Sequence, residues 1–464
     1  MRNDHPTLED KLRRSALVKA KAARIMKCQP AQAFGVHGDW GAGKTSFLRQ
    51  VRYHLDGSNE GCMDTPGQEL EGDAYKGRVV TIWFEAWRYQ HETSPAIALL
   101  QEIRRQFSVW AKVKGKAKKL GEVTVRSVLN GLDDAAKLLK LDALPLNPKG
   151  IQEIGEGWEK EHLEHRLGVD SIQAFLEASV SVILKSLAGP GARLVVFIDD
   201  LDRCTAKSAF RLLESLKIYF GLTNCVFVIG MNQQLVVDAV ASCMPLDYLP
   251  HDPSLKEAAA RIRAEAYLEK VCTDIERLTP PYDVAGVFCQ WLENGALAVV
   301  VRVSLNDGNG GKIRCLPPNP RRLKALANLL DRWWPALDTL VMDRVDKARA
   351  IIIIAYVYQF HSELFQRWQF NPAFYTHLQN WAAKAWPSWE GRPGWPAYFS
   401  SLKLPEEMVD VGAGQGAVPQ IEAQSNYPDP YAADMFWVAP MIRAAGLNEQ
   451  TMEAVMNALL SSPE

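Results

Sequence analysis

Gly38-Asp39-Trp40-Gly41-Ala42-Gly43-Lys44-Thr45 has the spacing G-x-x-x-x-G-K-[ST], the pattern of a loop that wraps phosphate. Its flanks give the match meaning. Ala33-Phe34-Gly35-Val36-His37 before it is short and mostly apolar and reads as a buried strand. After it, Phe47, Leu48, Val51 and Leu55 fall on one face of a helix. Glycines let backbone N–H groups turn inward on an anion with no side chain in the way. A helix starting near Lys44 aims its free N–H groups and positive dipole end at the same place. In such a loop Lys44 reaches the β- and γ-phosphates, and the Thr45 hydroxyl is a ligand for Mg²⁺. The binding residues expected on this basis are Gly38, Asp39, Trp40, Gly41, Ala42, Gly43, Lys44, Thr45 and Ser46.

Working outward, a second stretch completes the reading. Leu194-Val195-Val196-Phe197-Ile198 is a five-residue apolar run followed by Asp199-Asp200-Leu201-Asp202-Arg203-Cys204. A buried strand that ends in acids is the second signature of a phosphate-loop nucleotide hydrolase. Asp199 is placed to hold Mg²⁺, usually through water. Asp200 is placed to act as general base on the water that attacks the γ-phosphate. Arg203 is expected to touch phosphate or a neighbouring subunit, or to pair with Asp202. Cys225-Val226-Phe227-Val228-Ile229-Gly230 is a further strand ending at Asn232. An amide there either orients the lytic water or caps the helix that follows.

Arg78-Val79-Val80-Thr81-Ile82-Trp83-Phe84 is β-branched and aromatic and reads as another core strand. Glu85 stands at its carboxyl end, where ligands of open α/β sheets gather. It either positions water or pairs with a neighbouring residue. Trp83 and Trp87 read as packing residues. Helices are predicted over Leu8–Lys27, Pro95–Val113, Asp170–Leu187, Ala206–Phe220, Gln233–Ser242 and Ala258–Thr273. Gly57–Gly77 reads as an exposed connection, and Val123–Glu164 as helices and loops. Leu297–Arg302 and Lys312–Cys315 flank Asn306-Asp307-Gly308-Asn309-Gly310-Gly311, which predicts a hairpin. Asn319-Pro320-Arg321-Arg322 opens a helix. Past Pro387 the density of breakers predicts short helices and long loops.

Composition bounds the class. The 464 residues suffice for two or three domains, and 47% hydrophobic with 23% charged residues is ordinary for a globular protein. The formal net charge of -1 gives no global support for nucleic-acid binding. The basic run Lys112–Lys119 and the basic face of Leu8–Lys27 read first as solvated surfaces. The eight cysteines are scattered with no C-x-x-C pair, which predicts reduced thiols and no zinc site. The longest strongly apolar stretch, Ala350–Val357, is far short of the roughly 20 residues of a membrane span. Met1–Asp10 is polar, so a cytoplasmic location is expected.

In order along the chain, GDWGAGKTS (Gly38–Ser46), IWFEAWRY (Ile82–Tyr89), VVFIDDLDRC (Val195–Cys204), YLEK (Tyr267–Lys270) and NPRRLK (Asn319–Lys324) resemble the KAP family of P-loop NTPases. The resemblance spans about residues 8 to 335. It implies an α/β fold with an ASCE/AAA+-like core, in which a strand lies between the phosphate-loop strand and the acidic strand. It further implies an inserted helical module and a helical lid carrying the NPR motif. The domains expected are core at 1–110 and 191–280, inserted module at 111–190, lid at 281–340 and a tryptophan-rich helical region at 341–464. Asn232 then resembles a sensor-1 residue, and Arg321 or Arg322 a sensor-2-like arginine. Many members carry transmembrane helices between the two signatures; this chain has no apolar run of that length there. Family members often have Asn where this chain has Glu85, so the role of that position stays open.

ATP with Mg²⁺ is the cofactor pair the family implies, and no guanine-reading N-K-x-D occurs. Bacterial members include phage-exclusion proteins, so the analogy extends to anti-phage defence. The reading taken is an ATP-hydrolysing switch that works as a homo-oligomer or with a partner protein encoded nearby. A nucleotide-gated scaffold with little hydrolysis, a small-molecule kinase and a DNA-translocating motor are the competing classes.

Overall fold

The computed structural model describes residues 5–29, 32–64, 70–91, 98–99, 101–103, 105–106, 177, 180–181, 184, 188–189, 191–219, 222–244, 253–279, 281, 283–306, 313, 315–371, 373–385 and 435–461. The chain forms two compact units, His5–Thr279 and Pro280–Glu464 with Met1–Asp4. The runs 111–176 and 386–434 lie outside the described residues. With them go the basic run Lys112–Lys119, nearly all of the expected inserted module and the breaker-rich region after Pro387.

The first unit is built on a sheet of five parallel strands in the order β2-β3-β4-β1-β5. The strands are β1 (Gln32–His37), β2 (Val79–Glu85), β3 (Arg193–Asp199), β4 (Cys225–Met231) and β5 (Asp274–Arg277). Thus β4 lies between the phosphate-loop strand β1 and the acidic strand β3, as the family resemblance implies. Continuous apolar runs suit strands covered on both faces. Successive residues of β3 point to opposite sides. Val195 and Phe197 join Val18, Ile25, Phe47 and Val51 from α1 (Ser15–Lys27) and α2 (Lys44–Asp56) in one core layer. Leu194, Val196 and Ile198 join Leu213, Val237 and Leu268 from α3 (Ala206–Tyr219), α4 (Gln233–Cys243) and α5 (Pro253–Val271) in the other. Strand β2 is an edge, and the Gln106 side chain covers it. The amide accepts from Trp83 N at 3.0 Å and donates to Trp83 O at 2.7 Å.

Two expectations need correction here. The helix expected over Leu8–Lys27 begins only at Ser15. Arg13 takes a left-handed φ of 56°, which an α-helix cannot accommodate. The Asp10 carboxylate accepts instead from Arg14 N and Ser15 N at 2.7 and 2.6 Å. Strand β5 was not expected at all. Its sequence, Asp-Ile-Glu-Arg, has one apolar residue because it is the opposite edge of the sheet.

The described second unit is helical. In chain order it contains α6 (Val284–Gln290), α7 (Gly295–Ser304), α8 (Pro320–Trp333), α9 (Arg344–Phe360), α10 (Ser362–Phe370), α11 (Phe374–Ala385), α12 (Met435–Ala445) and α13 (Glu449–Leu460). Helix α9 is its centre, with Ala350–Val357 wholly buried among neighbouring helices. That apolar run is therefore core. Among the described residues no helix is long and apolar enough to cross a membrane. The hairpin expected around Leu297–Arg302 is overturned, because this valine-rich run is α7. Asn294 caps it by accepting from Leu297 N, and Leu297, Val301 and Ser304 are buried at helical spacing. Ile313 N donates to Leu305 O at 2.7 Å, a strand-like contact that remains among the described residues. In α8 the Asn-Pro opening is a helix start: Asn319 accepts from Arg321 N and Arg322 N, and Pro320 takes the first turn.

Candidate nucleotide-binding site

The phosphate loop lies between β1 and α2, at the carboxyl end of the sheet. Gly41 and Gly43 have φ of 81° and 85°, a conformation nearly closed to other residues. Gly43 sits directly before the first helical residue, Lys44. The loop is held from outside. Gly38 N donates to Met231 O of β4 at 3.3 Å. Buried Arg14 donates through Nη1 to Ala42 O and through Nη2 to Thr279 O, both at 2.8 Å. Ser46 Oγ accepts from Thr7 N at 3.2 Å, which ties the loop's end to the N-terminal segment.

Lys44 is buried and has three partners: Gly38 O at 2.7 Å, Asp39 O at 3.3 Å and Asp202 Oδ2 at 3.5 Å. The same Asp202 oxygen accepts from Trp40 Nε1 at 2.8 Å. Asp202 therefore binds the loop itself. Arg203 pairs instead with Asp200, its Nε standing 2.8 Å from Oδ1.

Asp199 ends β3, in register with Glu85 on β2. Burial, with the charge of Asp200 beside it, pushes its carboxyl up to about 7, against the pull of a hydrogen bond from the Thr45 hydroxyl. Its Oδ1 has no hydrogen-bond partner among the described residues. A buried carboxylate oxygen without a partner, next to a threonine hydroxyl, suits a hard divalent cation. Among the described residues no group of three or more His, Cys, Asp or Glu side chains is gathered to hold a metal. A cation here would draw its remaining ligands from phosphate and water, the usual arrangement for Mg²⁺. Room for the carboxylate comes from Gly230 on β4, where a β-carbon would lie 2.8 Å from Asp199 Oδ1.

Asp200 follows with φ 58° and ψ 34°, left-handed for a residue with a side chain. Such backbone costs of order 1 kcal/mol and gathers at functional sites. Asp200 precedes the short 3-10 turn Leu201–Arg203, to which its side chain gives no capping hydrogen bond. Burial raises its carboxyl pKa, and Arg203 opposes the rise. Glu85 pairs with Arg88 and stands 4.0 Å from Arg49 Nη2. The Arg49 guanidinium carbon lies over Trp83, 3.5 Å from the ring centroid, and burial lowers its pKa to about 10. Trp83 in turn stacks on Phe197, so it is core; Trp87 is exposed.

Asn232 caps the following helix and also reaches the loop. Its Oδ1 accepts from Gln234 N and Leu235 N as the cap of α4, and its Nδ2 donates to Asp39 Oδ1 of the loop at 3.3 Å. Next to it Gln233 N donates to His37 Nδ1 at 2.9 Å, joining α4 to the end of β1. The structure thus gathers Asp39, Trp40, Lys44, Thr45, Asp199, Asp200, Asp202 and Asn232 at one end of the sheet. Arg321 belongs to the second unit, where it is exposed in the first turn of α8. Arg322 there lies 4.3 Å from the Phe360 ring. Sequence reasoning missed Arg14, Arg49 and Gly230. Only Gly230 leaves a legible signal, since glycine inside a strand marks a close approach.

A phosphate loop, a parallel sheet in this order and paired acids at the end of β3 define an α/β P-loop NTPase. The model of the KAP family P-loop domain matches residues 14–272, and the chain belongs to that family. It is also similar to an uncharacterized protein of Methanocaldococcus jannaschii, 26% identical over 174 residues that cover 32% of this chain and 87% of the relative.

Proposed function

We propose that this chain is a Mg²⁺-dependent ATPase that acts as a molecular switch. The observation that carries the reading is that Lys44 of the loop and Asp199 and Asp200 at the end of β3 stand at the same end of the sheet. Thr45 and Asp199 would hold Mg²⁺, which supplies Lewis-acid neutralisation of phosphate charge. Lys44 neutralises the β- and γ-phosphates once its ammonium turns from the loop carbonyls. Asp200, its pKa raised by burial, takes the proton of the attacking water as that oxygen bonds the γ-phosphorus and the bond from that phosphorus to the bridging oxygen breaks, releasing ADP. Asn232 orients the water or the γ-phosphate from the loop side, and Arg321 is the arginine of the lid. ATP rather than GTP is the family expectation. Hydrolysis then changes an interface with a further copy or with a partner protein, and defence against phage is the biological setting the family suggests.

A second reading has one observation in its favour. Asp200 Oδ1 is engaged by Arg203, and that positive charge makes the carboxylate a weaker base. A nucleotide-gated scaffold would bind ATP and turn it over below ~0.01 s⁻¹, comparable to slow unassisted GTPases. The test is ATP turnover of the purified chain, alone and with DNA, RNA or lysate, beside Lys44→Ala and Asp200→Asn. Turnover lost in both variants, with binding lost only in Lys44→Ala, supports the switch. Unchanged turnover in Asp200→Asn removes Asp200 as base. Tight binding without turnover under every condition moves the reading to the scaffold.

A further inference from the structure

Asp202 lies on the short turn Leu201–Arg203 that follows β3. Its side chain is only 1% exposed. Oδ2 serves two donors from the phosphate loop: Trp40 Nε1 at 2.8 Å and Lys44 Nζ at 3.5 Å. Oδ1 is buried with no partner among the described residues. Strand β4 separates β3 from β1, so this carboxylate reaches past a whole strand to meet the loop. The Lys44 side chain is itself 8% exposed, so water screens the pair weakly.

A phosphate that takes the Lys44 ammonium must share it with this carboxylate or displace it. Two anions on one ammonium in a buried site repel each other. Resting on the nucleotide reading above, we propose that Asp202 is a built-in competitor for Lys44. It sets how tightly the loop holds phosphate, and it links the exchange to the indole of Trp40, a residue that is 58% exposed. Removing the charge therefore has effects of opposite sign. The chain without ligand loses a buried ion pair and becomes less stable. Phosphate gains an unshared lysine and binds more tightly. A purely structural role would lower both.

The test uses the full chain, with Mg-ATP and inorganic pyrophosphate as probes. Calorimetric titration compares the parent with Asp202→Asn, whose amide oxygen can still accept from Trp40, and with Asp202→Ala. The expected result is roughly tenfold tighter binding of both probes, together with a lower unliganded melting temperature. Pyrophosphate should also change the parent's tryptophan emission, by an amount that disappears in Trp40→Phe. Equal or weaker binding in the charge-removed variants overturns the proposal. So does a parent emission change that survives intact in Trp40→Phe, an outcome readable even where the Asp202 variants do not fold. A parent chain that binds neither probe overturns the nucleotide reading itself, before any variant is measured.

Discussion

Gly230 of β4 faces Asp199 of β3 so closely that a β-carbon at position 230 would stand 2.8 Å from Asp199 Oδ1 and 2.6 Å from Leu48 Cδ1. Leu48 is wholly buried, and the Asp199 carboxylate is held by the Thr45 hydroxyl, so both neighbours resist the added carbon. Gly230→Ala should therefore cost ~1–3 kcal/mol of stability, as overpacking does. It should also weaken Mg²⁺-dependent nucleotide binding by tenfold or more. Urea unfolding and fluorescent-nucleotide binding with and without Mg²⁺ check this. Parent affinity in the alanine variant would mean that Asp199 does not need that space.

Arg14 is the second lever on the loop. One guanidinium serves Ala42 O and Thr279 O at 2.8 Å each, and burial lowers its pKa although Asp10 opposes the shift. Arg14→Met keeps the length of the side chain and removes both donors. The loss should be on the order of 2 kcal/mol in unfolding free energy, since hydrogen bonds to charged groups are the stronger kind. Arg14→Lys should recover only part of it, because an ammonium cannot present the fork that spans two carbonyls. Full recovery by lysine would show that charge alone matters at this position.

Asn232 makes two kinds of contact that two substitutions can divide. Asn232→Ala removes the cap of α4 and the contact with Asp39, and should lose ~1 kcal/mol of stability together with turnover. Asn232→Ser keeps a capping oxygen but has no amide nitrogen to reach the loop. It should regain stability and not turnover. If serine restores turnover as well, the asparagine works only as a cap.

How far the sequence could be read follows from what each element buries. Strands β1 to β4 are covered on both faces, so their apolar runs stand out. The edge strand β5 has one neighbour and a polar sequence that carries no periodicity. Valines 299–301 favour a strand by intrinsic preference, yet the cap at Asn294 and the burial of Leu297 and Val301 make them helical. At the site, the residues that touch phosphate in the proposed function follow a fixed spacing and were legible. Arg14, Arg49 and Asp202 act through contacts with residues distant in sequence, and no local pattern announces such contacts.

The Asp199 carboxyl makes stability depend on pH in a direction that can be checked. Its pKa is about 7 in the folded chain, against 3.8 for an ordinary aspartate, because burial and Asp200 disfavour its charge. Between these values the folded chain holds more protons than the unfolded chain, so stability falls as pH rises through that window. Above it the folded protein carries a buried carboxylate with an unpartnered oxygen. Asp199→Asn abolishes this titration. Measured without nucleotide or Mg²⁺, the variant should melt higher than the parent at pH 8, by on the order of 5 °C. At pH 5, part-way up that window, the gap should be less than half as large, and it should close as pH approaches 3.8. The same variant should lose Mg²⁺-dependent nucleotide binding. A parent that keeps its pH 5 melting temperature at pH 8, and an asparagine variant that gains nothing there, would place the carboxylate in contact with water.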